Sequence, residues 1–218
     1  MVKHLDKDTK LWRADSYKSS IGVVASNVYR PPYNKYFTLT QQETEGYISR
    51  NPYQKEWNVI SRLNLLDFKN PETRKHLYDL AKNSKSIQNS INIAFPLKES
   101  KVYRYSEEDT AHHDDAVLNF ICKKQDELES HFGKKIHGYF IERQEKSQHA
   151  ISFHSEVGLC HSSLDSLVLS DEVKVSVPPP LKKRRYSNNN NRNKRTVSKM
   201  RLFNNNNNTR KNKNKNKK

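Results

Sequence analysis

The chain has 218 residues, room for one ordinary core plus appendages. Its formal charge of +16 is unevenly spread: residues 181–218 carry fifteen Lys or Arg and no acid, so the 25 basic and 24 acidic side chains of residues 1–180 nearly cancel. No apolar run approaches the roughly 20 residues that span a bilayer, the opening MVKHLDKDTKLW lacks a signal-peptide apolar segment, and the five glycines build neither GxGxxG nor a GK[ST] loop; these features argue against membrane-spanning, secreted, Rossmann and P-loop proteins.

Leu11-Trp12-Arg13-Ala14-Asp15 reads as a short strand with Arg13 at its centre. Residues 27–34, with Pro31 and Pro32, read as a loop, because proline lacks a donor and restricts the residue before it. Tyr36-Phe37-Thr38 is extended, and Thr40 followed by Glu43 is a capping-box pattern for a helix over residues 41–50. Residues 57–68, WNVISRLNLLDF, have strand character; Asn70-Pro71-Glu72 then supplies a cap, a first-turn proline and an acid for a helix ending near Asn83. A long helix is expected over 106–132, with Val117, Leu118, Ile121, Leu128 and Phe132 as its inward stripe and Gly133 as its stop. HGYFIE (137–142) and ISFHSEVGLC (151–160) read as strands joined by a polar loop, RQEKSQHA. This order predicts an α+β fold with a mixed or antiparallel sheet and several helices over residues 1–177. Residues 178–218 are too poor in apolar side chains to offset their ordering entropy and are predicted to be a disordered, Asn/Lys-rich basic tail.

Cys122 and Cys160 have no paired spacing, so neither a disulfide framework nor a thiolate zinc site is expected, and a reducing compartment follows. His112-His113-Asp114-Asp115 resembles a metal cluster, but adjacent helical residues diverge by about 100° per step; a solvated helix face is the expectation, with no metal. His4, His76, His137 and His149 are expected at the surface. There is no GxSxG elbow and no HExxH helix.

Strand alternation puts Ile151, Phe153, Val157 and Leu159 of ISFHSEVGLC on one face, and Ser152, His154, Glu156 and Cys160 on the other. His154 and Glu156 therefore project together about 7 Å apart, and this face is the best site candidate in the chain. LWRAD, YFTLT running into a helix, and FHSEVGLC together resemble the Arg, Ser/Thr-x-Ser/Thr and x-x-Glu blocks of the R-S-E type of ADP-ribosyltransferases, in that order. The resemblance implies an NAD cofactor, with Arg13 on a phosphate or ribose, Thr38 and Thr40 shaping the nicotinamide pocket, and Glu156 as the catalytic carboxylate holding a ribose hydroxyl; His154, on the same strand face, is the second catalytic candidate. Arg suits phosphate through its planar fork, and a carboxylate stabilises an oxocarbenium-like centre. Members that modify arginine or asparagine carry Glu or Gln where this chain has His154, which leaves the acceptor open. The resemblance requires Arg13, Thr38 and Glu156 to meet in one cleft.

Pro178-Pro179-Pro180-Leu181 followed by Lys182, Lys183, Arg184 and Arg185 resembles a short nuclear-import signal. The same tail would bind nucleic acid or another polyanion by counterion release, without base readout. ADSYKS, a YF-containing strand before a helix, LxLLDF and FHSEVGLC are similar to an uncharacterised protein family of giant amoeba-infecting DNA viruses (mimivirus-like), whose AT-rich coding fits the Asn/Lys-rich tail, as would the coding of an amoebal host. That resemblance brings no activity; it implies an intracellular setting, in the host cytoplasm (virus factory), the nucleus or the virion. The alternative to the transferase is thus a non-catalytic α+β binding protein acting through its tail.

Overall fold

The computed structural model describes residues 1–30, 35–48, 50–95, 107–146 and 151–176. The chain runs β1 (Val2–Leu5), β2 (Lys10–Asp15), α1 (Ala25–Val28), β3 (Lys35–Phe37), a 3-10 turn (Gln42–Tyr47), β4 (Tyr53–Val59), β5 (Leu63–Asp67), α2 (Pro71–Leu80), α3 (Lys85–Ala94), α4 (Glu107–Lys123), α5 (Gln125–Phe132), β6 (Gly138–Lys146), β7 (Ile151–Leu159), a second 3-10 turn (His161–Ser166) and β8 (Leu167–Lys174). All of these lie in one compact unit, Met1–Pro178. The tail beyond it, with Lys182, Lys183, Arg184 and Arg185, lies outside the described residues.

Five strands form one sheet in the order β1-β5-β6-β7-β3, with β5 and β6 parallel and the other neighbours antiparallel. A second sheet, β2-β4-β8, is antiparallel throughout. Two 2.9 Å backbone bonds between Trp12 and Thr38 join the sheets where β2 meets the end of β3.

The five-stranded sheet is buried on both faces, and its alternation sorts two cores. Leu63, Leu65, Phe140, Val157 and Leu159 meet Leu11, Trp57, Val59, Leu167 and Leu169 of the smaller sheet. Leu66, Tyr139, Ile141 and Cys160 face the other way, onto Leu77, Ile91, Val117, Leu118, Ile121 and Leu128 from the helices. Helices, large sheet and small sheet make three layers, a mixed α+β architecture.

Several predicted elements change. The 57–68 run is two strands, β4 and β5, parted by the exposed Ile60, Ser61 and Arg62, and they belong to different sheets. Asn70 does cap α2, accepting from the Glu72 amide at 2.8 Å with Pro71 in the first turn, but that helix ends at Leu80. The expected 106–132 helix breaks at Lys124, where φ −110° and ψ 20° interrupt it, and α5 stops at a left-handed Gly133 (φ 68°). Thr40 donates its amide to Glu43 at 3.0 Å as a capping box requires, yet the segment winds into a 3-10 turn whose cap is Gln41. Arg143 belongs to β6, which continues to Lys146, rather than to a loop.

The cysteine expectation is overturned: Cys122, near the end of α4, is bonded to Cys160, just past β7. Their 38-residue separation concealed the pairing, because it depends on α4 lying along β7. With the thiols joined, the argument for a reducing compartment loses its basis.

Candidate functional site

In the β6–β7 hairpin, Tyr139 stands opposite Gly158 and Arg143 opposite His154. Glu156 is therefore diagonal to both Tyr139 and Arg143 on the helix-facing side, a spacing long side chains bridge. The Arg143 guanidinium donates from Nε to Glu156 Oε2 at 3.2 Å and from Nη2 to Oε1 at 3.3 Å. Nη2 also donates to Asp114 Oδ1 at 2.6 Å, and Nη1 to the Ala94 carbonyl at 3.2 Å. One side chain thus ties β6 to β7, α4 and the end of α3, a use to which the planar fork of arginine is suited. The Tyr139 hydroxyl donates to Glu156 Oε1, and the Tyr36 hydroxyl to Asp115 Oδ1 at 2.5 Å. His113 bonds the Ser90 hydroxyl at 3.1 Å. Gly158 makes this packing possible, because a Cβ there would lie 2.7 Å from the Tyr139 ring.

Two carboxylates share one guanidinium. Burial, and after it the neighbouring Glu156 charge, push the Asp114 carboxyl up to about 7 against the opposing pull of Arg143. Burial and the two nearby carboxylates hold the Tyr139 hydroxyl far above the usual tyrosine range. The cluster can hold a proton near neutral pH.

The predicted site residues lie on β7, at the end of its neighbour β3, and on β2, which is bridged to that end. Glu156 sits in the cluster, and His154, half-buried, occupies the same strand face across from Arg143. Ser155, between them, points to the opposite face, where its hydroxyl accepts from the Leu39 amide at 2.8 Å and donates to Glu43 at 2.7 Å. Thr38 follows directly on β3, whose Phe37 pairs with Val157, and its hydroxyl donates to the Thr40 carbonyl at 2.9 Å. Bonds from Ser155 and Thr40 hold the Glu43 carboxyl below its usual range although burial opposes them.

Arg13 is committed elsewhere. Its Nε donates to Asp15 at 2.9 Å, its Nη1 to the Tyr36 carbonyl at 2.7 Å, and its guanidinium lies 5.3 Å from the Tyr29 ring centre. Asp15 also receives the Tyr29 hydroxyl and the ammonium of the fully buried Lys55, at 3.2 Å; Lys55 further meets Glu172 at 3.7 Å and the Ser19 hydroxyl at 2.7 Å. The structure brings Arg13 and the Thr38 strand together, and that strand lies beside the one that carries Glu156.

Sequence reasoning missed Arg143, Asp114 and Tyr139. The signal for two of them was present, since alternation from Tyr139 carries Ile141 and Arg143 to one face. Helix geometry predicts a solvated face for Asp114, but it is 8 % exposed and turned onto Arg143. His76 and His137 are likewise not simple surface residues: His76 stacks on His131 at 3.5 Å, and His137 Nδ1 accepts from the Asn64 amide at 2.9 Å. His149 lies outside the described residues.

Among the described residues no helix is long and apolar enough to cross a membrane, and no three His, Cys, Asp or Glu side chains converge to hold a metal ion. No family model, curated protein or solved structure matches the chain.

Proposed function

We propose that the protein is a non-catalytic α+β body that acts through its basic tail, binding nucleic acid or another polyanion. One observation carries this: all fifteen Lys and Arg of residues 181–218 stand without a single acid, beside a nearly neutral remainder. Such a segment gains affinity by releasing counterions, independently of sequence. The polar clusters of the folded body fit a structural role, since Glu156 and Arg13 are both engaged by internal partners. A host nucleus, a virus factory or a particle would supply the polyanion, and the disulfide favours a particle surface over a reducing cytosol. The test is binding of random-sequence duplex DNA by the full chain at several salt concentrations. The affinity should fall with a slope of about −0.9 per phosphate contacted, and lose most of its strength when Lys182, Lys183, Arg184 and Arg185 become Gln. Binding unaffected by those changes and by deletion of residues 178–218 rejects the proposal.

A second reading, an ADP-ribosyltransferase-like fold that uses NAD to modify a macromolecule, keeps one supporting observation. The Glu156 side chain is aimed by Tyr139 and Arg143 and remains 18 % exposed. The engagement of Arg13 by Asp15 and the Tyr36 carbonyl weighs against it. NAD cleavage by the full chain that vanishes in Glu156→Gln would restore this reading; absence of cleavage removes it.

A further inference from the structure

We infer that the Cys122–Cys160 disulfide is a redox-controlled staple that fixes α4 on the sheet and thereby seats Asp114 on Arg143. Three rungs connect α4 to the β7 segment in the same order along both. Asp114 reaches Glu156 through the shared Arg143. Leu118 packs over Gly158, its Cδ2 only 3.1 Å from where a Cβ would stand. Cys122 is bonded to Cys160. From Asp114 to Cys122 is eight residues of helix, about 12 Å; from Glu156 to Cys160 is four residues of strand, about 13 Å. The two lengths match, so the helix lies along the strand with an ionic clip at one end and a covalent one at the other.

The two clips differ in what opens them. A dithiol reductant attacks as thiolate, most accessibly at Cys122, which is half-buried while Cys160 is 1 % exposed. The S–S bond breaks, a mixed disulfide forms, and the second thiol of the reductant closes on the first; the reductant leaves as a disulfide and Cys122 and Cys160 as two thiols, two electrons and two protons having been transferred. What then keeps α4 in place is Val117, Leu118 and Ile121 against the sheet, with the Asp114–Arg143 pair. Asp114 faces Arg143, Glu156, Tyr139 and Tyr36 from the sheet and Asp115 on its own helix. A loosened α4 admits water among these groups, and the Asp114 carboxyl returns toward its ordinary range.

The experiment uses the full chain purified without reductant. Intact mass and thiol labelling report the bond, and hydrogen exchange is followed in the oxidised, dithiothreitol-reduced and re-oxidised protein. Residues 107–123 should exchange at least about tenfold faster on reduction, residues 53–59 should not change, and re-oxidation should restore protection. Carboxyl titration of Asp114 by NMR should move down on reduction, a shift that a bond serving only as a distant crosslink would not produce. Cys122→Ser should reproduce the reduced behaviour; should that variant not fold, the dithiothreitol comparison decides. Two free thiols in the unreduced protein, or α4 exchange and Asp114 titration unchanged on reduction, overturns the inference.

Discussion

Gly158 is where backbone and site chemistry meet. An added methyl would sit 2.7 and 2.9 Å from two Tyr139 ring atoms and 3.1 Å from Leu118, so Gly158→Ala must displace the ring that holds Glu156. We expect a loss of about 1–3 kcal/mol, the usual range for overpacking, read as a lower urea midpoint with unchanged m-value. Across the strand, a Cβ on Gly138 would fall 1.9 Å from the Gly158 carbonyl oxygen, backbone that cannot swing aside, so Gly138→Ala should cost more. Asp114 makes a prediction about pH. Its carboxyl titrates near 7 when folded and near 3.9 when unfolded. Between those values the unfolded chain has released a proton that the folded chain retains. Stability should therefore fall as pH rises from about 4 to about 7 and level off above. Asp114→Asn should flatten that slope in denaturation curves taken across the window.

Among the elements, a strong local start signal was legible, a weaker one in polar surroundings was not, and neither were strands defined by distant partners. Asn70-Pro71-Glu72 announced α2, and Asn70→Ala should cost about 1 kcal/mol, seen as a modest drop in thermal midpoint. α3 carried comparable signals, a Ser84 cap and Ile87 and Ile91 four apart, but went unread because its surroundings are polar. β8 was hidden by a bulge: the pairing shifts between Glu56 and Trp57, and Ser170 instead bonds the Glu56 carbonyl at 3.0 Å, so its alternation breaks midway. β1 is four residues long and pairs with a strand about sixty residues away, which no short-range pattern reveals. For the candidate site, Glu156 and its strand face were legible through alternation, as was the shared face of Tyr139 and Arg143, whereas their meeting with Glu156 depends on the β6–β7 register and that of Asp114 on where α4 lies. Arg13 was correctly placed in a strand, but its engagement with Asp15 depends on side-chain direction within the fold.

At the scale of the whole molecule, the small sheet is held by a charge as well as by apolar packing. Lys55 on β4 joins Asp15 on β2 and Glu172 on β8, with its ammonium beside the Tyr17 ring at 4.2 Å. Replacing it by Met takes the cation from the buried Glu172 carboxylate and leaves Asp15 with Arg13 alone, and we expect a loss of about 3 kcal/mol, measurable by chemical denaturation and larger than that of any cap.

Lys55 also bears on the order in which the chain assembles. During synthesis β2 and β4 are complete more than a hundred residues before Leu167–Lys174 emerges. Through that interval Lys55 has Asp15 but not Glu172, and the β4 edge from Tyr53 to Val59 has no strand beside it. An open edge is a template for another chain, so throughout that interval the nascent protein is in the form most prone to pair with its neighbours. Delivery of β8 ends that exposure by closing the edge and supplying the second carboxylate in one step.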